Sequence, residues 1–319
     1  SRLYFLLKYW LFWILFFEIA RMIFLVFQID EKAGWAGKMN ALWYGLRMDI
    51  SMSSYILIPV ILIILIGLLF TKINEIFIIK YYSYLIIFLS LLILISDYFL
   101  FKAWGFRLDA TVFKYLSNFR EVWASIYNQP IFLILTAFIL LFGILIIALN
   151  KVVIGKKLFQ PVKNTFFAFL LFLLFTAFLI IPIRGGLQLA PLNQSSVYFS
   201  DNNILNQASL NAPWNFVFTI IDRAKFTKNP YNYFAYEDAK RITDSMYKQR
   251  TDSLKLVEKK SNSLPNIIFI IWESLTSKVL NQQVGGVSIT PGINRLIQEG
   301  IYFSNMYASG DRTDKGLVA

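Results

Sequence analysis

Few side chains in this sequence are suited to chemistry, and one of them follows a strand-like run late in the chain. The sequence contains no His and no Cys, which excludes the commonest general base, thiolate metal ligands, a cysteine nucleophile and a disulfide framework. Residues 266–271 form a continuous apolar run, typical of a buried strand in a parallel sheet, and Glu273 follows it. In open α/β sheets, ligands bind beyond the carboxyl ends of the strands. Glu273 therefore stands where a metal ligand would be useful.

The residues that follow predict further α/β elements. A helix is predicted to begin after Thr290, with Pro291 in its first turn, and to end at Gly300. Its buried face would consist of Ile293, Leu296 and Ile297. Residues 301–303 predict a second short strand, and residues 309–316 a polar turn. This order is typical of an α/β sandwich, and because the chain begins at Ser1 and stops at Ala319 in mid-pattern, we interpret it as a fragment of a longer protein.

Long apolar runs dominate the rest of the chain. Hydrophobic residues make up 57% of the 319 residues and charged residues 16%, whereas an ordinary soluble domain has about 25% charged residues. A mainly soluble or a disordered protein is thereby excluded. Five runs approach or exceed the roughly 18–20 residues that a helix needs to cross a bilayer. They cover residues 3–27, 51–70, 82–101, 131–149 and 165–181.

The loop between the fourth and fifth runs predicts the orientation of the chain. It carries Lys151, Lys156, Lys157 and Lys163 and no acidic residue. Loops rich in Lys and Arg lie on the cytoplasmic side of a membrane. We therefore expect a multi-pass protein of the cytoplasmic membrane, with its N-terminus inside and everything after Ile181 outside the cell.

Charged residues inside or next to apolar runs mark places of interest. Glu18 and Arg21 lie three residues apart, so they share a helix face and can pair. Arg47 and Asp49 stand at the start of the second run, and Asp97 lies near the end of the third. Two interpretations of Arg47 and Asp49 stay open: interfacial snorkelling with a local ion pair, or a lipid-headgroup site on the outer face.

Three segments are predicted from these patterns. Residues 1–182 form a transmembrane domain, and residues 183–263 an extracytoplasmic linker that is a loop with short turns as far as residue 211. An amphipathic helix is predicted within residues 233–260, from the stripe Ala235, Ala239, Ile242 and Met246. Residues 264–319 are the incomplete start of an α/β domain.

The segment 266–316 resembles the opening of the lipoteichoic acid synthase-like family of the alkaline phosphatase/sulfatase superfamily. The matching pieces are Glu273-Ser274, Thr290-Pro291, Phe303-Ser304-Asn305 and the Gly-x-x-Thr-Asp turn at Thr313. In the membrane half, the similar pieces are residues 45–49 and 104–109. The resemblance implies about five transmembrane helices followed by an extracytoplasmic, alkaline-phosphatase-like α/β catalytic domain.

The resemblance also implies roles for individual residues. Glu273 would be a metal ligand, Thr313 both a metal ligand and the nucleophile, and Arg312 or Lys315 would hold the anionic group. The metal would be Mn²⁺, with Mg²⁺ and Zn²⁺ as alternatives. Such an enzyme moves a phosphoglycerol or phosphoethanolamine-type headgroup from a membrane phospholipid to an envelope glycan or lipid, through a phospho-threonine intermediate. No nucleic-acid partner is expected.

The sequence departs from the family at two points, and alternatives stay open. The family has Thr-Ser-Asp where Thr313 is followed directly by Asp314-Lys315. The family also needs Asp and His ligands further downstream, and because this chain has no His, we expect it to be inactive alone. A phosphoester hydrolase of the same superfamily, or a non-catalytic polytopic protein such as a transporter or sensor, is the alternative. The lack of a Cys/Ser-x-Pro-x-Arg motif argues against a sulfatase.

Overall fold

The fold is known from a computed structural model and is mostly helical. The description covers residues 2–28, 34–70, 72–113, 130–154, 164–225, 233–246, 266, 268–270, 272, 275, 277–280 and 282–307. The chain divides into two compact units, Ser1–Tyr233 and Phe234–Ala319, and each is described here by itself.

The first unit contains the apolar helices. Its helices are α1 (Arg2–Gln28), α2 (Gly34–Leu69), α3 (Glu75–Trp104), α4 (Ile131–Ala148), α5 (Thr165–Phe178) and α6 (Ile180–Ile183), and a π-helix, Leu149–Ile154, continues α4. Five stretches of the described residues are long and apolar enough to cross a bilayer, with α5 and α6 together forming the fifth. The prediction of about five long apolar helices is confirmed.

Local signals set several helix ends. The Asn74 side chain accepts the N–H of Phe77 at the start of α3, and Gly105, with a φ of 76°, ends that helix. Asn164 accepts the N–H of Phe167 in the same way before α5. Asn side chains satisfy free N–H groups at helix starts, and glycine adopts the left-handed conformation at helix ends without strain.

Helix α2 begins well before the apolar run that predicted it. The run starts near residue 51, but the helix starts at Gly34 and continues through Pro59. The apolar run identifies only the part that fits the bilayer, whereas the preceding turns stay helical because they pack against a later helix, α7 (Asn203–Ser209). Tertiary contacts of this kind override a local prediction.

The core of the first unit lies between α1, α2 and α3. Tyr9 and Trp13 are fully buried there, and the Tyr9 hydroxyl lies 2.9 Å from the Ser83 hydroxyl of α3. Helix α4 has no buried residue. An apolar helix of this kind fits a lipid environment, in which apolar side chains need no protein cover.

Residues 183–211 were predicted to form a loop with short turns, and the structure differs. They contain a 3₁₀ helix (Gln194–Val197) and α7, and α8 (Ala212–Lys225) follows directly. Helix α7 packs on α1 and α2, and α8 packs on α2 and α3. The prediction was wrong because Asn, Gln and Ser are turn formers on their own, whereas here they cap helices whose apolar faces are buried in the first unit.

The second unit contains short elements. Helix α9 (Tyr236–Met246) lies within the predicted amphipathic segment, and α10 (Pro291–Glu299) has Thr290 at its N-cap, Pro291 in its first turn and Gly300 at its C-cap, as predicted. A 3₁₀ turn (Ser277–Val279) precedes a hairpin of β1 (Gln283–Val284) and β2 (Val287–Ser288). Its turn residues, Gly285 and Gly286, have φ values of 59° and 82°, as a tight hairpin turn requires.

The described part of the second unit has no parallel sheet. Residues 268–270 of the first predicted strand are exposed and lie outside any strand, as do residues 301–303 of the second. An extended segment becomes a strand only when a neighbouring backbone accepts its hydrogen bonds, and the only sheet in the described residues is the antiparallel β1–β2 pair. The predicted buried face of α10 is also not buried.

Candidate functional site

Two buried ion pairs lie at the same end of the helices of the first unit. Arg21 near the end of α1 contacts Asp49 of α2, with 2.5 Å between Nη2 and Oδ1. Arg107, just after α3, contacts Asp97 near the end of α3, with 2.9 Å between Nε and Oδ2. All four side chains are almost completely inaccessible to solvent. Charges so deeply buried persist only when they are paired and hydrogen-bonded.

The Arg21 guanidinium binds three elements at once. Besides Asp49, its Nη1 donates to the carbonyl oxygens of Ala208 and Ser209 at the end of α7. The predicted contact with Glu18 is also present, at 3.8 Å between Nε and Oε2. Gly45 makes room for the group, because a Cβ atom at this position would overlap the guanidinium. Arg21 therefore ties α1 to α2 and to the negative end of the α7 dipole.

Arg107 makes a similar set of contacts. Its Nη1 donates to the carbonyl of Gln207 at 3.0 Å, and its guanidinium carbon lies 4.2 Å from the centroid of the Phe24 ring. Burial lowers the pKa of Arg107, and the Asp97 carboxylate opposes that shift. Asp97 also accepts the N–H of Leu108 at 2.7 Å. The carbonyls of residues 207–209 are thus bound by two arginines from different parts of the chain.

Asp49 is only partly satisfied. Its Oδ1 accepts from Arg21 and, at 2.7 Å, from the side-chain amide of Asn211. Its Oδ2 is buried and has no hydrogen-bond partner among the described residues. Such an atom usually pairs with a water molecule or with a ligand donor.

Arg47 does not pair with Asp49, so the predicted local ion pair is wrong. Its Nε donates instead to the carbonyl of Gly185, at 2.6 Å. Residues two apart on an α-helix point about 200° away from each other. Asp49 therefore faces Arg21 and Asn211, while Arg47 reaches the turn after α6.

A cavity of about 400 Å³ lies against the two ion pairs. Its polar lining comes from the four paired side chains and Asn211, and its apolar lining comes mainly from α1, α3 and α4. The apolar residues include Phe16, Phe17 and Ile19 of α1, Leu91, Leu94 and Ile95 of α3, and Leu141, Ile144 and Leu145 of α4. Along α1 and α3 the cavity continues past the charged residues, because Ile23, Phe24 and Phe99 also line it. This volume is within the usual range of small-molecule pockets, about 300–1,000 Å³.

The site residues predicted from the sequence cannot be placed near this cavity. Glu273, Arg312, Thr313 and Lys315 all lie outside the described residues, so their proposed roles stay predictions. Among the residues that the structure does describe, no group of three or more Asp or Glu side chains is arranged to hold a metal ion.

The sequence pointed to part of the charged site. Asp97 stood out as an acid near the end of an apolar run, and Arg21 and Asp49 as charges next to apolar runs. The contact of Arg107 with Asp97 was missed, because Arg107 lies in a short segment with no periodic pattern. The clue was a single charged residue in the otherwise uncharged run 82–101, since such a group needs a cation nearby.

No protein-family model matches this chain, and no solved structure matches it. The resemblance to the lipoteichoic acid synthase-like family therefore stays a prediction from its residues. The described residues form an apolar cavity beside two buried, hydrogen-bonded ion pairs.

Proposed function

We propose that this chain belongs to a membrane-anchored, metal-dependent phosphotransferase of the alkaline phosphatase/sulfatase superfamily. It would move a phosphoglycerol or phosphoethanolamine-type headgroup from a membrane phospholipid to an envelope glycan or lipid. The observation that carries the proposal is the set of five helices that are long and apolar enough to cross a membrane, because the donor in such a reaction is a membrane lipid. The ordered motifs from Glu273 to Thr313 supply the choice of reaction.

The membrane half would contribute to such a reaction by keeping the protein in the same membrane as its lipid donor. An enzyme anchored in the membrane encounters a much higher local concentration of a lipid substrate than a free enzyme does. The buried contacts of Arg21 and Arg107 with the carbonyls of residues 207–209 fix the segment after α6 on the helices.

The proposed chemistry has two steps at Thr313. In the first, the Thr313 oxygen forms a bond to phosphorus, the bond from phosphorus to the diacylglycerol oxygen breaks, and the threonine proton goes to that leaving oxygen. In the second, the acceptor oxygen forms a bond to phosphorus, the bond from phosphorus to the Thr313 oxygen breaks, and the acceptor's proton goes to the Thr313 oxygen. Arg312 and Lys315 would hold the anionic group.

The proposed metal ligands are oxygen donors. The Glu273 carboxylate and the Thr313 hydroxyl belong to the class of ligands that Mn²⁺ and Mg²⁺ prefer. When bound, the metal would lower the pKa of the hydroxyl and neutralise phosphoryl charge.

The test is to detect the covalent intermediate in the full-length protein. The protein is incubated with a phospholipid bearing an isotope-labelled headgroup and Mn²⁺, and peptides are analysed by mass spectrometry. We expect a labelled phosphoryl adduct on Thr313 that is absent from Thr313→Ala. Thr290→Ala, which removes a helix N-cap residue instead, should keep the adduct. An adduct that survives Thr313→Ala, or that never forms, would refute the proposal. Release of the labelled headgroup to water in place of the acceptor would identify a hydrolase.

A further inference from the structure

Two arginines meet at the turn that follows the fifth apolar stretch. Arg184 comes directly after Ile183, the last residue of that stretch. Arg47 lies one helical turn before the apolar run 51–70 of α2, and its Nε donates to the carbonyl of Gly185 at 2.6 Å. This contact brings the ends of two apolar runs to the same level. Arginines at such ends place their charge at the membrane surface, where lipid phosphate groups lie.

The turn that carries these arginines is fixed on α2. One helical turn after Arg47, the Ser51 hydroxyl donates to the carbonyl of Ile183 at 2.8 Å. Gly185 and Gly186 have φ values of 75° and 135°, which residues other than glycine rarely adopt. A Cβ atom at Gly185 would also lie 3.1 Å from Arg47 Nε. The Arg47 guanidinium is therefore held in place before a ligand binds, which lowers the entropic cost of binding.

Neither arginine forms an ion pair with an acidic side chain of the described residues. Asp49, two residues from Arg47, faces Arg21 instead. Arg47 donates only from Nε, and its two Nη atoms are accessible and bond to no described residue. Arg184 is exposed, and its Nη2 donates to the uncharged carbonyls of residues 188–189. Two positive charges at this boundary thus lack a counter-ion within the part of the chain that the structure describes.

The chemistry of this pair favours an anionic lipid headgroup. Arg21 and Arg107, beside the cavity, are buried against carboxylates, so their charges are already neutralised. A guanidinium with free N–H groups matches the oxygens of a phosphate group. At the end of an apolar stretch, the phosphate group within reach is that of a phospholipid. A zwitterionic headgroup would place a further cation near two arginines, which is unfavourable.

We propose that Arg47 and Arg184 form a binding site for the phosphate group of an anionic phospholipid, whose acyl chains extend into the bilayer. The inference stands on the charges of the two arginines and on the fixed turn, and not on the phosphotransfer chemistry. If the proposed function also holds, the site holds the donor lipid. It then favours a phosphoglycerol over a phosphoethanolamine headgroup, because only the latter carries an ammonium group.

The experiment compares a phospholipid of net negative charge with a zwitterionic one. The purified full chain in detergent is titrated with dioleoyl phosphatidylglycerol or dioleoyl phosphatidylcholine, and the first bound lipid is counted by native mass spectrometry. We expect the phosphatidylglycerol to bind at least about fivefold more tightly. Equal or tighter binding of the phosphatidylcholine would overturn the proposal. Soluble glycerol phosphate at the same concentration should not displace the lipid, and displacement would overturn the assignment to a lipid by identifying a free phosphate ester as the ligand.

Three variants locate the site. Arg47→Gln and Arg184→Gln should each lower the affinity for phosphatidylglycerol about fivefold and leave the affinity for phosphatidylcholine nearly unchanged. Lys72→Gln makes the same change of charge in the exposed turn between α2 and α3, beyond the opposite end of α2, and should have no effect. An equal loss in Lys72→Gln would show a general attraction to basic residues and contradict the site. Because Arg184 is exposed, Arg184→Gln removes a charge without opening the core, and an unchanged lipid preference in this variant would also contradict the site.

Two further variants separate lipid binding from other roles. Arg47→Lys keeps the positive charge beside Gly185, so its affinity for phosphatidylglycerol should lie between those of the parent protein and Arg47→Gln. An affinity as low as that of Arg47→Gln would show that the charge does not bind the lipid, and the inference would be wrong. Thr313→Ala should leave both lipid affinities unchanged, which separates a failure of this inference from a failure of the proposed enzymatic function.

Discussion

Arg21 and Asp49, 28 residues apart in the chain, form a buried ion pair that joins α1 to α2, with 2.5 Å between Nη2 and Oδ1. The same guanidinium holds two carbonyls at the end of α7. The pair thus links α1 and α2 to α7, next to the cavity.

Replacing one member of this pair should destabilise the fold strongly. Arg21→Met leaves the Asp49 carboxylate buried without its cation, and the expected loss is about 3–5 kcal/mol in the free energy of unfolding. The measurement is unfolding of the purified protein in detergent. Arg241→Met is the matched control, because Arg241 pairs with Asp238 on the exposed helix α9, and its loss should be small. The double variant Arg21→Met/Asp49→Leu should recover part of the lost stability, and no recovery would contradict the explanation.

Gly45 should be intolerant of any side chain. Because a Cβ atom there would overlap the Arg21 guanidinium, Gly45→Ala should lower the free energy of unfolding by about 1–3 kcal/mol. Gly143→Ala in α4 has nothing within 4 Å of the added atom and should be neutral or raise stability by about 0.5–1 kcal/mol. The two melting temperatures, measured side by side, check this, and a neutral Gly45→Ala would contradict the close approach.

Lysine should not replace arginine at position 107. The guanidinium contacts Asp97, the Gln207 carbonyl and the Phe24 ring together, and a lysine ammonium does not reproduce this planar set. Arg107→Lys should therefore reduce the free energy of unfolding by about 1–3 kcal/mol. Arg295→Lys, in the exposed helix α10, serves as the control and should have the same melting temperature as the parent protein. If Arg107→Lys also has the melting temperature of the parent protein, the planar contacts do not contribute to stability.

The predicted orientation can be tested by cysteine labelling, because the chain has no natural Cys. Leu189, after α6, is 99% exposed, and Lys72 lies in the exposed turn between α2 and α3. With the N-terminus inside, a membrane-impermeant maleimide added to intact cells should label Leu189→Cys and not Lys72→Cys. Lysed cells should label both. The reverse pattern in intact cells would show that the lysine-rich loop at residues 151–163 is outside.

Tyr198 should make the stability of the first unit fall at alkaline pH. Burial raises the pKa of this phenol above its ordinary value of 10.0, although its hydrogen bond with Gln207 acts the other way. The folded state therefore holds the proton more tightly than the unfolded state, so the contribution is present below the unfolded pKa and is lost as pH rises through the folded one. The free energy of unfolding should fall more steeply above pH 10 in the parent protein than in Tyr198→Phe. Parallel curves for the two proteins would contradict the shift.

The sequence predicted contacts between residues that are close in the chain and missed contacts between residues that are far apart. The pairing of Glu18 with Arg21 was foreseen because residues three apart share a helix face. The shorter contact of Arg21 is with Asp49, and Arg47 reaches Gly185, 138 residues further on. Such partners follow from the packing of helices and have no signature in local spacing.

The sequence by itself determined the five helices that are long and apolar enough to cross a bilayer, and the start and end of α10 at Thr290 and Gly300. These features depend on helix period, bilayer thickness and capping, which act within a few turns of one segment. Only the tertiary structure decided that α2 begins at Gly34, that the segment after α6 forms helices, and that the buried charges meet beside a cavity. Those outcomes depend on which surfaces pack together, and burial selects the partner of each charge because an unpaired charge in the interior is too unfavourable to persist.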